Sequence, residues 1–69
     1  MSVYNIIELI GTSPDSWEDA ARTALDRARK SLRDLRIAEA TEFDITLSED
    51  GQVELFRTKL KVSFKNEEK

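Results

Sequence analysis

The sequence predicts an α+β fold, a β-α-β-β chain in which strands lie against a single helix, and three features carry that prediction. A segment rich in β-formers opens the chain, an alanine-lined amphipathic stretch follows it, and two long alternating segments close on an Asp-Gly pair. The 69 residues are expected to form one domain, 1–69.

The first strand is expected over Val3 to Ile10, where Val3, Ile6, Ile7, Leu9 and Ile10 fall on both faces and so call for cover on both sides. Gly11-Thr12-Ser13-Pro14-Asp15 reads as the turn that ends it, because Pro14 cannot donate to a ladder and Gly11 can take a positive φ. A helix is expected to start near Ser16, whose hydroxyl suits an N-cap, with Asp19 as a short-armed partner in a capping box. Trp17, Ala20, Ala21, Ala24, Ala28, Ser31, Leu32 and Leu35 then recur at helical spacing as a narrow stripe that could sit close on a sheet. Arg22, Asp26, Arg29, Lys30 and Arg33 form the opposite, solvated face.

Two strands follow, Arg36 to Ser48 and Gln52 to Lys65, joined by Glu49-Asp50-Gly51. With Asp50 and Gly51 as the turn, Ile45 faces Phe56, Phe43 faces Thr58, Thr41 faces Leu60, Glu39 faces Val62 and Ile37 faces Phe64, a largely apolar surface. The other surface then sets Asp44 beside Arg57 and Glu42 beside Lys59, and the opposed signs support the register. Val53 and Leu55 fall out of phase, so a bulge or strong twist is expected near Leu55.

A chain this short buries little more than its conformational entropy costs, and it has neither cysteine nor histidine for a disulfide or a structural zinc. Unusually good packing or subunit association must supply the rest, and the long hairpin with its unmatched Ile10, Leu47, Val53 and Leu55 favours association. Hydrophobic residues are 39% and charged residues 36%, a folding composition. The net charge of −3 and dispersed basic residues argue against nucleic acid as a partner. No apolar run is long enough to span a bilayer and Met1 to Ile10 lacks the layout of a signal peptide, so no membrane partner is expected and cytoplasm is the expected compartment.

Catalysis is not expected: no cysteine is present, and no histidine can activate a serine or threonine. Gly11-Thr12-Ser13 lacks the lysine and second glycine of a phosphate loop. Any metal would be a hard, oxygen-loving ion such as calcium or magnesium. Glu42 and Asp44 read first as salt-bridge partners of the opposing bases, Glu18 and Asp19 as capping charges, and Trp17 as core or interface. The period-two stripe Arg57, Lys59, Lys61 and Lys65 is a solvated sheet face or, alternatively, an anion surface.

A strand ending in Gly11-Thr12-Ser13, an alanine-rich helix opened by Ser16-Trp17, and a long hairpin closing on Lys61-Val62-Ser63-Phe64 resemble the dodecins over nearly the whole chain. That resemblance implies a three-stranded antiparallel sheet wrapped around its helix with the last strand central, assembled as a hollow homododecamer that binds flavins between stacked tryptophans and is no enzyme. At the positions implied for flavin contact the chain differs: the stacking tryptophan is Ile37, and the glutamine for the ring edge is Arg57. Isoleucine has no π-face and arginine no acceptor for the ring N–H groups. These two residues and the Met-Ser-Val-Tyr start are similar to a branch described as calcium dodecins, for which calcium is the implied ligand and Glu42 and Asp44 are the candidate carboxylates. The expected function is therefore a shell that sequesters a small ligand or ion, with calcium the candidate and flavin binding degraded. The alternatives are a storage protein for flavin (FMN or riboflavin) or coenzyme A, with Arg57 on a phosphate or ring oxygen, and a purely structural module.

Overall fold

A computed structural model describes residues 1–66; the remaining three positions of the expected unit 1–69 lie outside the described residues. The elements run β1 (Tyr4–Ser13), α1 (Trp17–Ser31), β2 (Leu35–Leu47) and β3 (Val53–Lys65), the predicted β-α-β-β order. They form one antiparallel sheet in the order β1-β3-β2, with the last strand in the centre and α1 on one face. The helix packs mainly on β1 and β3 and least on β2.

β1 continues three residues past the predicted turn, for Gly11, Thr12 and Ser13 pair with Thr58, Arg57 and Phe56. Gly11 is not there for a positive φ, which among the glycines belongs to Gly51 alone at 83°. It is there because α1 crosses directly over it: a Cβ on Gly11 would overlap the backbone carbonyl of Ala20 and lie 3.0 Å from the Ala24 Cβ. The chain then turns at Pro14-Asp15, where the Asp15 amide donates to the Ser13 hydroxyl at 2.9 Å.

Ser16 caps α1 as predicted, its hydroxyl accepting from the Asp19 amide at 2.9 Å. The Asp19 carboxylate does not close a capping box; it accepts from the buried Ser13 hydroxyl at 2.8 Å and so ties the helix start to β1. Ala20, Ala24 and Ala28 are the buried stripe, small enough for close approach to the sheet. The helix ends at Ser31, short of the expected stripe. Leu32 is already extended, Asp34 takes a left-handed turn at φ 59°, and Leu35 begins β2, from which it still packs on the core of Ala24, Leu60 and Val62.

The hairpin register is right at its middle for a reason the sequence conceals. The loop has three residues, Glu49 to Gly51, closed by a bond from the Ser48 amide to the Gln52 carbonyl at 2.8 Å, where a two-residue loop was expected. An irregularity between the Thr46 and Leu47 rungs, in the region where a bulge was expected, leaves Glu54 unpaired and restores Ile45 to Phe56, Asp44 to Arg57 and Phe43 to Thr58. Replacing Gly51 by alanine should cost about 1 kcal/mol from the left-handed backbone alone, since the added Cβ meets nothing within 4 Å; urea denaturation measures it.

A second bulge, at Thr41 between Ala40 and Glu42, overturns the rest of the expected register. Beyond it Ala40 pairs with Leu60, Ala38 with Val62 and Ile37 with Ser63, and another irregularity at Arg36 sets Leu35 opposite Phe64. Residues directly opposite share a face, so Ala38 and Ala40 take the helix side with Leu60 and Val62, while Ile37 and Glu39 pass to the outer side. The cause is the polarity of Glu39, which without the bulge would be set opposite the fully buried Val62. The Thr41 hydroxyl secures the bulge by donating to the Lys59 carbonyl at 3.3 Å.

Candidate functional site

On the outer face of the sheet the side chains form cross-strand rows of three, in the order β1, β3, β2. Ile6, Ser63 and Ile37 make one row; Glu8, Lys61 and Glu39 the next; then Ile10, Lys59 and Glu42, and finally Thr12, Arg57 and Asp44. Three bases on the central strand are thus flanked by four acids on its neighbours. Arg57, Lys59 and Lys61 of the basic stripe are not a free anion surface, because each has a carboxylate beside it in its own row, whereas Lys65 lies opposite Tyr4.

The strongest of these pairings is a fork. Arg57 Nε donates to Asp44 Oδ1 at 2.6 Å and Arg57 Nη2 donates to Asp44 Oδ2 at 2.9 Å, so both carboxylate oxygens are engaged. The guanidinium holds the Asp44 carboxyl below its usual range, and the same pair, with the charge of Glu42 assisting, raises the Arg57 guanidinium above its own. Lys59 faces Glu42 in register, but its ammonium lies 4.0 Å from Glu8 Oε1 on the other side.

The backbone of Asp44 is held as well. β2 is an edge strand, and the Asp44 carbonyl accepts from Trp17 Nε1 at 3.1 Å. The Trp17 ring meets Phe43 and Phe56 edge-on, with centroids 5.8 and 5.2 Å away, and the Trp17 carbonyl accepts from the buried Thr58 hydroxyl at 2.9 Å. Trp17 is therefore the post between α1 and the hairpin, in line with its expected place in core or interface. Because α1 leans toward β1, a groove of about 550 Å³ opens beside it, lined by Trp17, Glu18, Ala21, Ala40, Phe43 and Thr58. Its signal in the sequence was the helical neighbours Trp17 and Ala21; the share of Ala40 depends on the Thr41 bulge, which the pattern of apolar residues did not show.

The structure brings Asp44 and Arg57 together, with Glu42 one row away, and leaves Ile37 at the other end of the sheet. Six residues of β3 separate the Ile37 and Arg57 rows, about 20 Å along a strand. Within one chain, only a ligand extended over about that length could touch both. The residues do not fit a flavin sandwich: Ile37 offers a two-thirds exposed aliphatic surface, and the Arg57 fork is already occupied. Nor do they fit calcium within one chain, since no group of three or more potential ligands occurs among the described residues and both oxygens of Asp44 are taken. The Gly11-Thr12-Ser13 segment is no phosphate cradle, for Gly11 lies under the helix and the Ser13 hydroxyl serves Asp19.

Comparison with known proteins bears on this arrangement directly. A family model described as Dodecin matches residues 3–67. The chain belongs to the dodecin family. Its sequence is 51% identical over 65 residues to a calcium dodecin of Mycobacterium tuberculosis, covering 94% of this chain and 90% of that one, and 44% identical over 66 residues to a dodecin of Thermus thermophilus, covering 96% and 94%. The crystal structure of the mycobacterial protein, a calcium-chelating antigen with a novel calcium-binding site, superposes with a TM-score of 0.85 at 48% identity over 96% of this chain and 93% of that one. A crystallised variant of the Thermus dodecin matches at a TM-score of 0.92 and 42% identity over the whole of both chains. The central position of β3 and the single helix on one face are thus dodecin architecture. No helix of the described residues is long and apolar enough to cross a membrane.

Proposed function

We propose that the protein is a ligand-sequestering shell, assembled as a homododecamer in the manner of its family, and that it holds a small ligand or ion without catalysing a reaction. The observation that carries this is the dodecin match over residues 3–67, and the roughly 20 Å between the Ile37 and Arg57 rows means that a compact ligand could use both only across copies. The exposed apolar surface agrees: Phe43, Ile45, Leu47 and Val53 lie open along the hairpin, beside a small buried core of Ala20, Ala24, Ala28, Leu60 and Val62. A second copy covers that length of strand; a small molecule does not.

Of the two ligand classes that the family resemblance implies, the cation is the better match, and calcium is the one named for a relative. The outer face carries more acids than bases in its charged rows, and symmetry supplies the further oxygens that Glu42 and Asp44 lack in one chain. Flavin is disfavoured by Ile37, and coenzyme A by the engagement of Arg57 with Asp44. Native mass spectrometry of protein taken directly from its source tests assembly and contents together, with twelve copies expected. Calorimetry should show heat on adding calcium, and riboflavin or FMN fluorescence should stay unquenched at high protein concentration. A monomer, or quenched flavin without calcium heat, would sink the proposal.

A further inference from the structure

The geometry points to a docking site for a second copy of this chain: the apolar groove beside Trp17 receives the end of a neighbouring copy's β2-β3 hairpin, with Leu47 and Val53 as the side chains that enter it. The inference rests on the assembled shell proposed above and adds which two surfaces meet. The groove opens because α1 packs mainly on β1 and β3 and least on β2. Its lining is apolar except for Glu18 at the exposed rim and the Thr58 hydroxyl. That hydroxyl is already engaged, donating to the Trp17 carbonyl, and the Trp17 indole N–H donates to the Asp44 carbonyl. A pocket for a small molecule keeps a few convergent polar groups free to orient its ligand. Here only one exposed carboxylate at the edge is free, so the groove suits aliphatic side chains from a folded chain.

The chain carries a part that matches. β1 ends at Ser13, opposite Phe56, so beyond that rung the hairpin continues as a two-stranded arm with no third strand beside it. Leu47 lies two residues past Ile45 and opposite Val53, which sets both on the helix side of the sheet with Ile45 and Phe56. They are 60% and 55% exposed. The other open isoleucines, Ile6, Ile10 and Ile37, stand on the outer face of the three-stranded part, in or beside rows of lysine and glutamate, a flat charged surface that does not fit a groove. The arm cannot fill the groove of its own chain, because Leu47 lies four residues beyond Phe43 on the same strand, about 13 Å away along it. Each copy therefore gives an arm and receives one, as a closed assembly allows.

The chain has no cysteine and one tryptophan, so introduced cysteines and Trp17 both report without background. In the full-length assembled protein, Ala21→Cys/Leu47→Cys should give disulfide-linked chains on mild oxidation, while Ile10→Cys/Leu47→Cys, with one cysteine on the outer face, should stay unlinked. Trp17 fluorescence supplies a second readout that needs no cysteine. Acrylamide should quench the wild-type assembly several-fold less than Leu47→Ser/Val53→Ser, whose changes lie on the exposed arm and should leave the circular dichroism unchanged. Native mass spectrometry separates the two ideas. A twelve-copy wild type whose Trp17 is quenched as readily as in the serine variant overturns the inference and spares the shell, whatever the cysteine pair gives. Equal linkage in the outer-face control also overturns it, since the linking would then be collisional. A wild type that does not assemble overturns the inference and the shell together.

Discussion

Replacing Gly11 by alanine should lower the unfolding free energy by about 3 kcal/mol, the upper end of the cost of overpacking. The added methyl has no flexible neighbour to push aside, because it would overlap the backbone carbonyl of Ala20, with the Ala24 Cβ 3.0 Å away. Ala20 and Ala24 are the buried residues by which α1 sits on β1 and β3, so relief requires the whole helix to lift from the sheet. Lifting it would also strain the bond between the Ser13 hydroxyl and Asp19 and that between Thr58 and the Trp17 carbonyl. Urea unfolding at fixed protein concentration should show a lower midpoint with an unchanged slope. A loss below 1 kcal/mol, no greater than that expected of Gly51→Ala, would mean that the helix does not lie so close and that Gly11 serves only the backbone.

Gly11 also marks where the sequence was legible and where it was not. The helix start, the alanine stripe and the rows from Ile45 to Glu42 could be read, because each rests on local chemistry: a serine before the first turn, a period near 3.6, and opposed charges across a hairpin. What misled was geometry set by distant elements. A glycine beside Thr-Ser-Pro-Asp has the composition of a turn, and only the helix packed on it shows that it is a crossing point. The loop length was misread without harm, since the extra loop residue is offset by the unpaired Glu54 in β3. The Thr41 bulge had no local signal, and missing it placed Ile37 and Glu39 on the wrong face. The acidic pair fared better. Asp44 and Glu42 stand on the outer face as read, but that one of them would be forked at both oxygens while the other is not depends on side-chain reach, which register alone does not contain.

Trp17→Ala should be nearly as damaging as Gly11→Ala, by about 3 kcal/mol, the lower end of the range for removing a large aromatic side chain, because Trp17 is half-buried. Its loss removes two edge-on aromatic contacts and the donor for the Asp44 carbonyl, and of these the Phe43 contact and the Asp44 bond tie α1 to the edge strand β2, the strand on which the helix packs least. Trp17→Phe should keep most of the packing and cost about 1 kcal/mol for the lost hydrogen bond. Hydrogen exchange distinguishes this from general weakening: in the alanine variant the amides of residues 40–46 should lose protection well before those of β1. Equal loss of protection along β1 and β2 would show that Trp17 is simply part of a common core. If β2 loosens selectively, Asp44 loosens with it, and the fork with Arg57 loses the fixed backbone that aligns its carboxylate. Trp17, on the helix side of the sheet, would then govern the charge arrangement on the opposite side, through a carbonyl and a carboxylate that belong to the same residue.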